Sequence, residues 1–187
     1  MGNIVLTYDD IPLTSPGPGR IGDPGPLEDG FQFSTNMVAA QVGNGSAWPM
    51  ANALSGNQVL LNDYGGPVII TYTGGEFSLV DTFIAGWNSG AGGTISGFLN
   101  GTFMGQVSWS ALGPDAGGGH PVATWTDVVP GFGTVDMIII SSGAPFILDN
   151  TTMDPPAASV PEPATAALLA VGMILAMWFN RRVAQCL

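Results

Sequence analysis

Oxygen-bearing side chains near both ends of the body of this chain are the best candidates for chemistry. Asp9 and Asp10 follow the first apolar run, and Asp149 and Asn150 follow the last one. Ca²⁺ takes about six to eight oxygen ligands and tolerates irregular geometry. Because the first and last strands of a β-sandwich are commonly neighbours, these residues predict a structural Ca²⁺ site, the only cofactor that the sequence suggests. The alternative is that Asp9 and Asp10 cap a turn and Asp149 and Asn150 end a strand, with side chains bonding local backbone.

Tryptophan side chains are the second candidate, because an aromatic ring gives a sugar an apolar platform with a polar edge. Trp48 precedes Pro49 and Trp87 precedes Asn88, so both lie in loop-like contexts. We predict a carbohydrate contact at Trp48 and Trp87, with packing in the core or against a loop as the alternative. Trp109 lies on an apolar strand pattern and is expected in the core.

The remaining reactive residue types are scarce. His120 is the only histidine and Cys186 the only cysteine, so a three-histidine metal site and an internal disulfide are both excluded within one chain. The sequence has no Gly-x-Ser-x-Gly nucleophile motif. A hydrolase using paired carboxylates is conceivable, but the spacing selects no pair. These observations predict a protein that is not an enzyme.

The charge of the chain is strongly acidic and unevenly distributed. All 14 carboxylates lie at or before Glu162, there is no lysine, and Arg20 is the only basic residue before position 181. With 14 carboxylates and one arginine, residues 1–163 carry a formal charge of about −13, against −11 for the whole chain. Such a body repels phosphate backbones, so nucleic acid is not an expected partner.

The body has the pattern of many short strands separated by Gly, Asn, Asp and Pro clusters. Asn100-Gly101 lies between two such runs and predicts a hairpin with a two-residue turn. No segment before Asp154 supplies the crossover helices of a parallel sheet. We therefore predict an all-β fold, a jelly-roll-like antiparallel β-sandwich, with strands over Ile4–Tyr8, Phe31–Thr35, Gln58–Leu61, Val68–Tyr72, Phe77–Ile84, Thr94–Leu99, Thr102–Trp109, Ala123–Val129, Val135–Ile140 and Phe146–Leu148.

The composition changes abruptly after the body. We divide the chain into a β-sandwich ectodomain (1–154), a Pro/Ala linker (155–163), a transmembrane helix (164–180) and a basic cytoplasmic tail (181–187). Residues 164–179 carry no charge, and a helix of this length nearly spans the roughly 30 Å hydrocarbon core. Arg181 and Arg182 follow at once and place that end in the cytoplasm by the positive-inside rule.

This C-terminal region resembles the PEP-CTERM family of exosortase-sorted bacterial proteins. The resemblance rests on Pro161-Glu162-Pro163, the apolar segment that begins at Ala164, and Arg181-Arg182, in that order. It implies that a membrane transpeptidase, the exosortase, acts at or near Pro161-Glu162-Pro163. The sequence departs from the family pattern in its short basic cluster and in five further residues, 183–187. A permanent single-span anchor with a Pro-rich linker is the alternative.

These observations predict a non-catalytic, exported cell-surface or extracellular-matrix protein. We expect it to be sorted by its C-terminal signal, held first in the inner membrane, and associated with extracellular polysaccharide. A carbohydrate-binding module and an extracellular hydrolase are the alternatives. Residues 1–10 contain neither a basic segment nor an apolar stretch of signal-peptide length, so we expect a secretion signal to be missing from this sequence, or the C-terminal segment to insert as a tail anchor.

Overall fold

Two antiparallel β-sheets face each other in the computed structural model, which describes residues 2–15, 21–43, 46, 51–62, 65–87, 90–113 and 124–156. No helix occurs among these residues. The strands are β1 (Ile4–Leu6), β2 (Leu27–Glu28), β3 (Phe31–Phe33), β4 (Met37–Gln41), β5 (Gln58–Asn62), β6 (Val68–Tyr72), β7 (Phe77–Gly86), β8 (Ala91–Leu99), β9 (Thr102–Ala111), β10 (Thr126–Val128), β11 (Thr134–Val135), β12 (Met137–Ser142) and β13 (Phe146–Asp154).

The seven-stranded sheet has the order β10-β7-β13-β5-β4, with β1 also paired to β13 and β11 also paired to β7. Strand β13 changes partner along its length: residues 147–148 pair with β5, and residues 151–153 pair with β1. The change falls at Asp149 and Asn150, where the register with β7 is also irregular and Asn150 has a φ of 46°. Such a bulge can redirect side chains out of the regular alternation.

The six-stranded sheet has the order β2-β3-β6-β12-β8-β9. Strands β8 and β9 form the hairpin that Asn100-Gly101 predicts, with Leu99 paired to Thr102. Both turn residues have positive φ angles, 50° and 75°, which asparagine and glycine adopt most readily. The strand β9 forms the edge of this sheet.

The main hydrophobic core lies between the two sheets. Alternate residues of the strands point into it, including Ile70, Ile95 and Ile138, and Trp109 packs edge-on against Phe146 with ring centroids 5.4 Å apart. The expected core position of Trp109 is therefore confirmed.

A second hydrophobic cluster covers the outer face of the seven-stranded sheet. The whole of β5 is buried, because Leu60 belongs to the main core while Val59 and Leu61 belong to this second cluster. Ala51 and the half-buried Ile21 and Ala53 lie outside strands and pack on it. Loop segments therefore cover the sheet from outside.

The predicted two-sheet, all-antiparallel architecture is confirmed, whereas the jelly-roll connection stays a prediction. The sequence pattern did not indicate β2 and β4, and it predicted residues 135–140 as one strand. The chain instead crosses between sheets at Asp136, since β11 pairs with β7 and β12 with β6 and β8. The expectation that Asp149 and Asn150 end a strand is wrong, because β13 continues through the bulge to Asp154.

The chain divides into the units Met1–Pro156 and Ala157–Leu187, and only the first contains described residues. Within the described ranges, no helix is long and apolar enough to cross a bilayer. The predicted transmembrane helix at 164–180 lies outside those ranges, as do the linker from residue 157 onward and the tail at 181–187.

Candidate functional site

Two carboxylates hold the loop formed by residues 54–58, which leads into β5. Asp9 approaches the loop from the segment after β1, and Asp149 approaches it from the bulge of β13. We call this arrangement the carboxylate-anchored loop, defined by Asp9, Asp149, Asn150 and residues 54–58.

Asp9 binds the second half of the loop. Its Oδ1 atom accepts hydrogen bonds from the main-chain N–H groups of Asn57 (3.0 Å) and Gln58 (3.2 Å). The side-chain amide of Gln58 in turn donates a hydrogen bond from Nε2 to the main-chain oxygen of Asp9 at 2.6 Å. Gly56 has a φ of 55° and lies so close to the Asp9 carboxylate that a Cβ atom there would collide with it. The loop therefore requires glycine at this position.

Asp149 binds the first half of the loop and has no exposed surface. Its Oδ2 atom accepts from the N–H groups of Leu54 (2.6 Å) and Ser55 (3.1 Å), and its Oδ1 atom accepts from the N–H of Asn150 (2.7 Å). Burial raises the pKa of the Asp149 carboxyl to about 6 even though these hydrogen bonds lower it, and the charge of Asp9 adds to the rise. The Ser55 hydroxyl donates to the Asn150 side-chain oxygen at 2.6 Å.

The predicted oxygen ligands are thus brought together in part. Asp9, Asp149 and Asn150 meet at the loop because β1 pairs with the end of β13. Asp10 is exposed, and its charge acts on Glu28 instead. The oxygens of Asp9 and Asp149 bind main-chain N–H groups far away in sequence, in addition to the local bond to Asn150. Among the described residues, no group of three or more His, Cys, Asp or Glu side chains has the arrangement of a metal site, and Ca²⁺ binding stays a prediction.

A half-buried acid, Glu28, which sequence reasoning missed, lies beside this region. Tyr8 has no exposed surface and a φ of 65°, a rare conformation for a bulky residue. Its N–H donates to Glu28 Oε1 at 3.1 Å, and its hydroxyl donates to Thr151 Oγ1 at 2.6 Å. Burial raises the pKa of Glu28 to about 7, the Tyr8 bond lowers it, and Asp29 raises it again. The only signal available in the sequence was the adjacent acid pair Glu28 and Asp29 between an apolar residue and a glycine.

The two tryptophans predicted to contact carbohydrate differ in what the structure describes. Trp48 lies outside the described residues. Trp87 has 8% of its surface exposed and packs in the second hydrophobic cluster with Val59 and Leu61, and the half-buried Trp125 packs against the same cluster. Little of the Trp87 side chain is therefore open to a sugar, and the carbohydrate contact stays a prediction.

The sorting residues Pro161, Glu162, Pro163, Arg181 and Arg182 lie outside the described residues. A comparison with protein families finds a match for the PEP-CTERM protein-sorting motif over residues 159–182. The chain carries a PEP-CTERM protein-sorting motif. This motif points to an exported protein that is processed at the membrane by an exosortase, as the sequence resemblance implied.

Other comparisons concern the body. No curated protein matches the chain. A solved structure of a DUF4465 family protein from Bacteroides caccae is 12% identical, covers 82% of this chain and 99% of its own, and superposes with a TM-score of 0.51. A cyclase from Fischerella sp. in its apo form is 10% identical, covers 84% of this chain and 98% of its own, and has a TM-score of 0.44. The first likeness supports the fold of the body of this chain and nothing more.

Proposed function

We propose that this chain is a non-catalytic cell-surface or matrix protein whose β-sandwich is displayed outside the cell after exosortase processing. The observation that carries the proposal is the PEP-CTERM match at residues 159–182, which begins just beyond the unit Met1–Pro156. The order body, proline-rich linker, apolar segment and arginine pair is the order that such handling requires.

The chemistry of the tail supports the proposal. Pro161 and Pro163 disfavour helical backbone at and before their positions, which favours an extended motif before the apolar segment. Residues 164–179 carry no charge and can remain in the bilayer. Arg181 and Arg182 retain the end of the chain in the cytoplasm. The Pro-Glu-Pro motif is thereby presented to a membrane-embedded transpeptidase on the outer side.

The use of carboxylates in the body supports a non-catalytic role. Asp9, Asp149 and Glu28 each accept hydrogen bonds from main-chain N–H groups, and Asp136 Oδ2 accepts from the N–H of Asn100 at 2.8 Å at the tip of the hairpin. These carboxylates hold segments of chain in place. Their chemistry is that of structural anchors.

Mass spectrometry of the mature C-terminus tests the proposal. The exported precursor is expressed in a bacterium that has an exosortase and in the same bacterium without it. We expect loss of the segment after Pro163 only in the first host, with Glu162→Gln reducing it and Asp154→Asn, in the body, leaving it unchanged. An intact Leu187 in both hosts would contradict sorting and support a permanent anchor.

The finer part of the proposal is association with extracellular polysaccharide. It derives from the sorting signal and from the predicted contacts at Trp48 and Trp87. Binding of the body to a glycan array tests it, with Trp48→Ala as the variant and Trp109→Phe, in the core, as the control. Release of sugar from a polysaccharide by the body would instead favour the hydrolase alternative. If the body neither binds nor cleaves any glycan of a broad panel, both the carbohydrate-binding and the hydrolase functions are excluded.

A further inference from the structure

The six-stranded sheet ends in a strand whose outer side is unpaired over most of its length. Strand β9 pairs with β8 along its inner side. The far end of its outer side is closed, because Leu112 bridges to Thr124 and the Thr126 hydroxyl donates to the Ser110 main-chain oxygen at 3.2 Å. Residues 102–108 have no strand partner on the outer side among the described residues. We call these residues the open edge.

The open edge lacks most of the features by which proteins usually prevent edge pairing. Natural edge strands are blunted by charged side chains, especially lysine, by proline, by β-bulges, or by being very short. Strand β9 is ten residues long, and residues 102–108 contain neither charge nor proline. The register irregularity of this hairpin leaves Met104 as the extra residue of β9, because Phe103 pairs with Phe98 and Gly105 pairs with Gly97. This bulge lies near the tip of the hairpin, and residues 105–108 keep a regular register with β8.

The charge distribution restricts what can approach this edge. No charged residue lies between Asp81 and Asp115, a stretch that includes all of β8 and β9. The rest of the body has the carboxylates and a formal charge near −13. Like charges repel two copies over most approaches. A contact through residues 102–108 joins strands that carry no charge themselves, and Asp136 lies at the tip of the hairpin, bonded to Asn100.

Exposed apolar side chains lie on the open edge. Phe103 has 56% of its surface exposed and Met104 has 42%. The Phe103 ring meets Phe98 of β8 in an edge-to-face contact, with centroids 5.8 Å apart, so it is held in place on the sheet. Exposed apolar side chains beside free main-chain groups are the combination that strand addition uses.

We propose that the open edge pairs antiparallel with the open edge of a second copy of this chain, so that the two six-stranded sheets become continuous. The same residues on both partners make the contact self-complementary about a twofold axis. A strand-to-strand contact buries less than the roughly 800 Å² per partner of a standard interface, so the dimer is weak and forms at high local concentration.

Sedimentation velocity on residues 1–156 tests the proposal, because all members of both hydrophobic clusters lie between Ile4 and Met153. We expect concentration-dependent dimers that tighten as salt rises from about 0.01 M to about 0.15 M, where the screening length falls from about 30 Å to about 8 Å. Gln106→Glu should weaken dimerisation about tenfold or more by placing like charges near each other, and Phe103→Ser should weaken it as well. The exposed control Thr134→Glu should have no effect.

A monomer at all salt concentrations overturns the proposal, as does a dimer that tolerates Gln106→Glu. Binding of a neutral glycan that Gln106→Glu abolishes, in a chain that stays monomeric, would assign the open edge to that ligand and also overturn it. In the membrane-bound full chain with Cys186→Ser, a short bismaleimide should crosslink Gln106→Cys and not Thr134→Cys. The sedimentation results on residues 1–156 are independent of the mature C-terminus, so they separate this inference from the proposed sorting.

Discussion

Acidic solution should stabilise the body of this protein, because the half-buried Glu28 and the buried Asp149 hold protons more tightly when the chain is folded. Burial raises the pKa of Glu28 from 4.5 to about 7 and that of Asp149 from 3.8 to about 6. Between the ordinary pKa of each group and its raised pKa in the folded chain, the folded chain therefore binds more protons than the unfolded chain. Stability must then fall as pH rises through about 6 to 7. The carboxylates facing them, Asp10 and Asp29 at Glu28 and Asp9 at Asp149, act in the same direction.

The size of the effect follows from the two pKa values. A tenfold difference in proton affinity corresponds to about 1.4 kcal/mol, which sets an upper limit of about 4 kcal/mol between pH 5 and pH 8 for the two groups together. Water reaches part of the Glu28 side chain and screens its charge, so we take about half of this limit, about 2 kcal/mol. For a domain of this size that is about 4 to 8 °C in melting temperature.

Thermal and urea unfolding of residues 1–156 at pH 5, 6, 7 and 8 measures this dependence. Glu28→Gln and Asp149→Asn should each flatten the profile by removing one titrating group, even where Asp149→Asn lowers stability at every pH by disturbing its bonds to the loop. The exposed Asp127→Asn is the control and should leave the slope unchanged. A stability that is constant or that rises from pH 5 to pH 8 would refute the reasoning.

Three further predictions concern the same region. Tyr8→Phe should lower the free energy of unfolding by about 1 to 2 kcal/mol in urea denaturation, because the bond to the Thr151 hydroxyl is lost in a buried position. Gly56→Ala should cost at least about 2 kcal/mol, because the positive φ is strained by a side chain and the new Cβ meets the Asp9 carboxylate. If Asp9 and Asp149 hold Ca²⁺, the melting temperature should be higher in Ca²⁺ than in EDTA. Equal melting temperatures in the two solutions would contradict the predicted Ca²⁺ site.

Matched control substitutions show whether these losses of stability come from the named contacts or from any substitution of the same type. Tyr72→Phe removes a hydroxyl that has no hydrogen-bond partner among the described residues and should be nearly neutral. Gly43 has a φ of 82°, and no atom lies within 4 Å of the place that a Cβ would take there, so Gly43→Ala reports the backbone strain alone. If Gly43→Ala costs as much as Gly56→Ala, the close approach of Asp9 contributes nothing.

Much of the fold could be predicted because its signals are local. Alternation in residues 77–84, 94–99 and 102–109 follows from one buried and one outward face, and the Asn100-Gly101 turn follows from its tolerance of positive φ. Strand β4 was missed because all but its last residue are buried, which removes the alternation, and because Ala39 and Ala40 favour strands only weakly. The break at Asp136 was missed because a change of sheet depends on partners that lie elsewhere in the chain.

The candidate site was predicted in outline and not in its bonding. The sequence suggested that Asp9 would meet Asp149 and Asn150 across the ends of the body, and the pairing of β1 with β13 places them around one loop. It did not suggest that the loop at 54–58 would be the partner of both carboxylates, since Asp149 and Leu54 are 95 positions apart.

The sequence by itself determined the acidity of the body, its strand-rich character and the PEP-CTERM signal, because each of these is a property of composition or of contiguous residues. Only the tertiary structure decided that Glu28 is half-buried and Asp149 fully buried, that Trp87 packs in the second hydrophobic cluster, and that residues 102–108 form an open edge. Burial and exposure depend on which distant segments pack over a residue, and that packing is fixed by the whole chain at once.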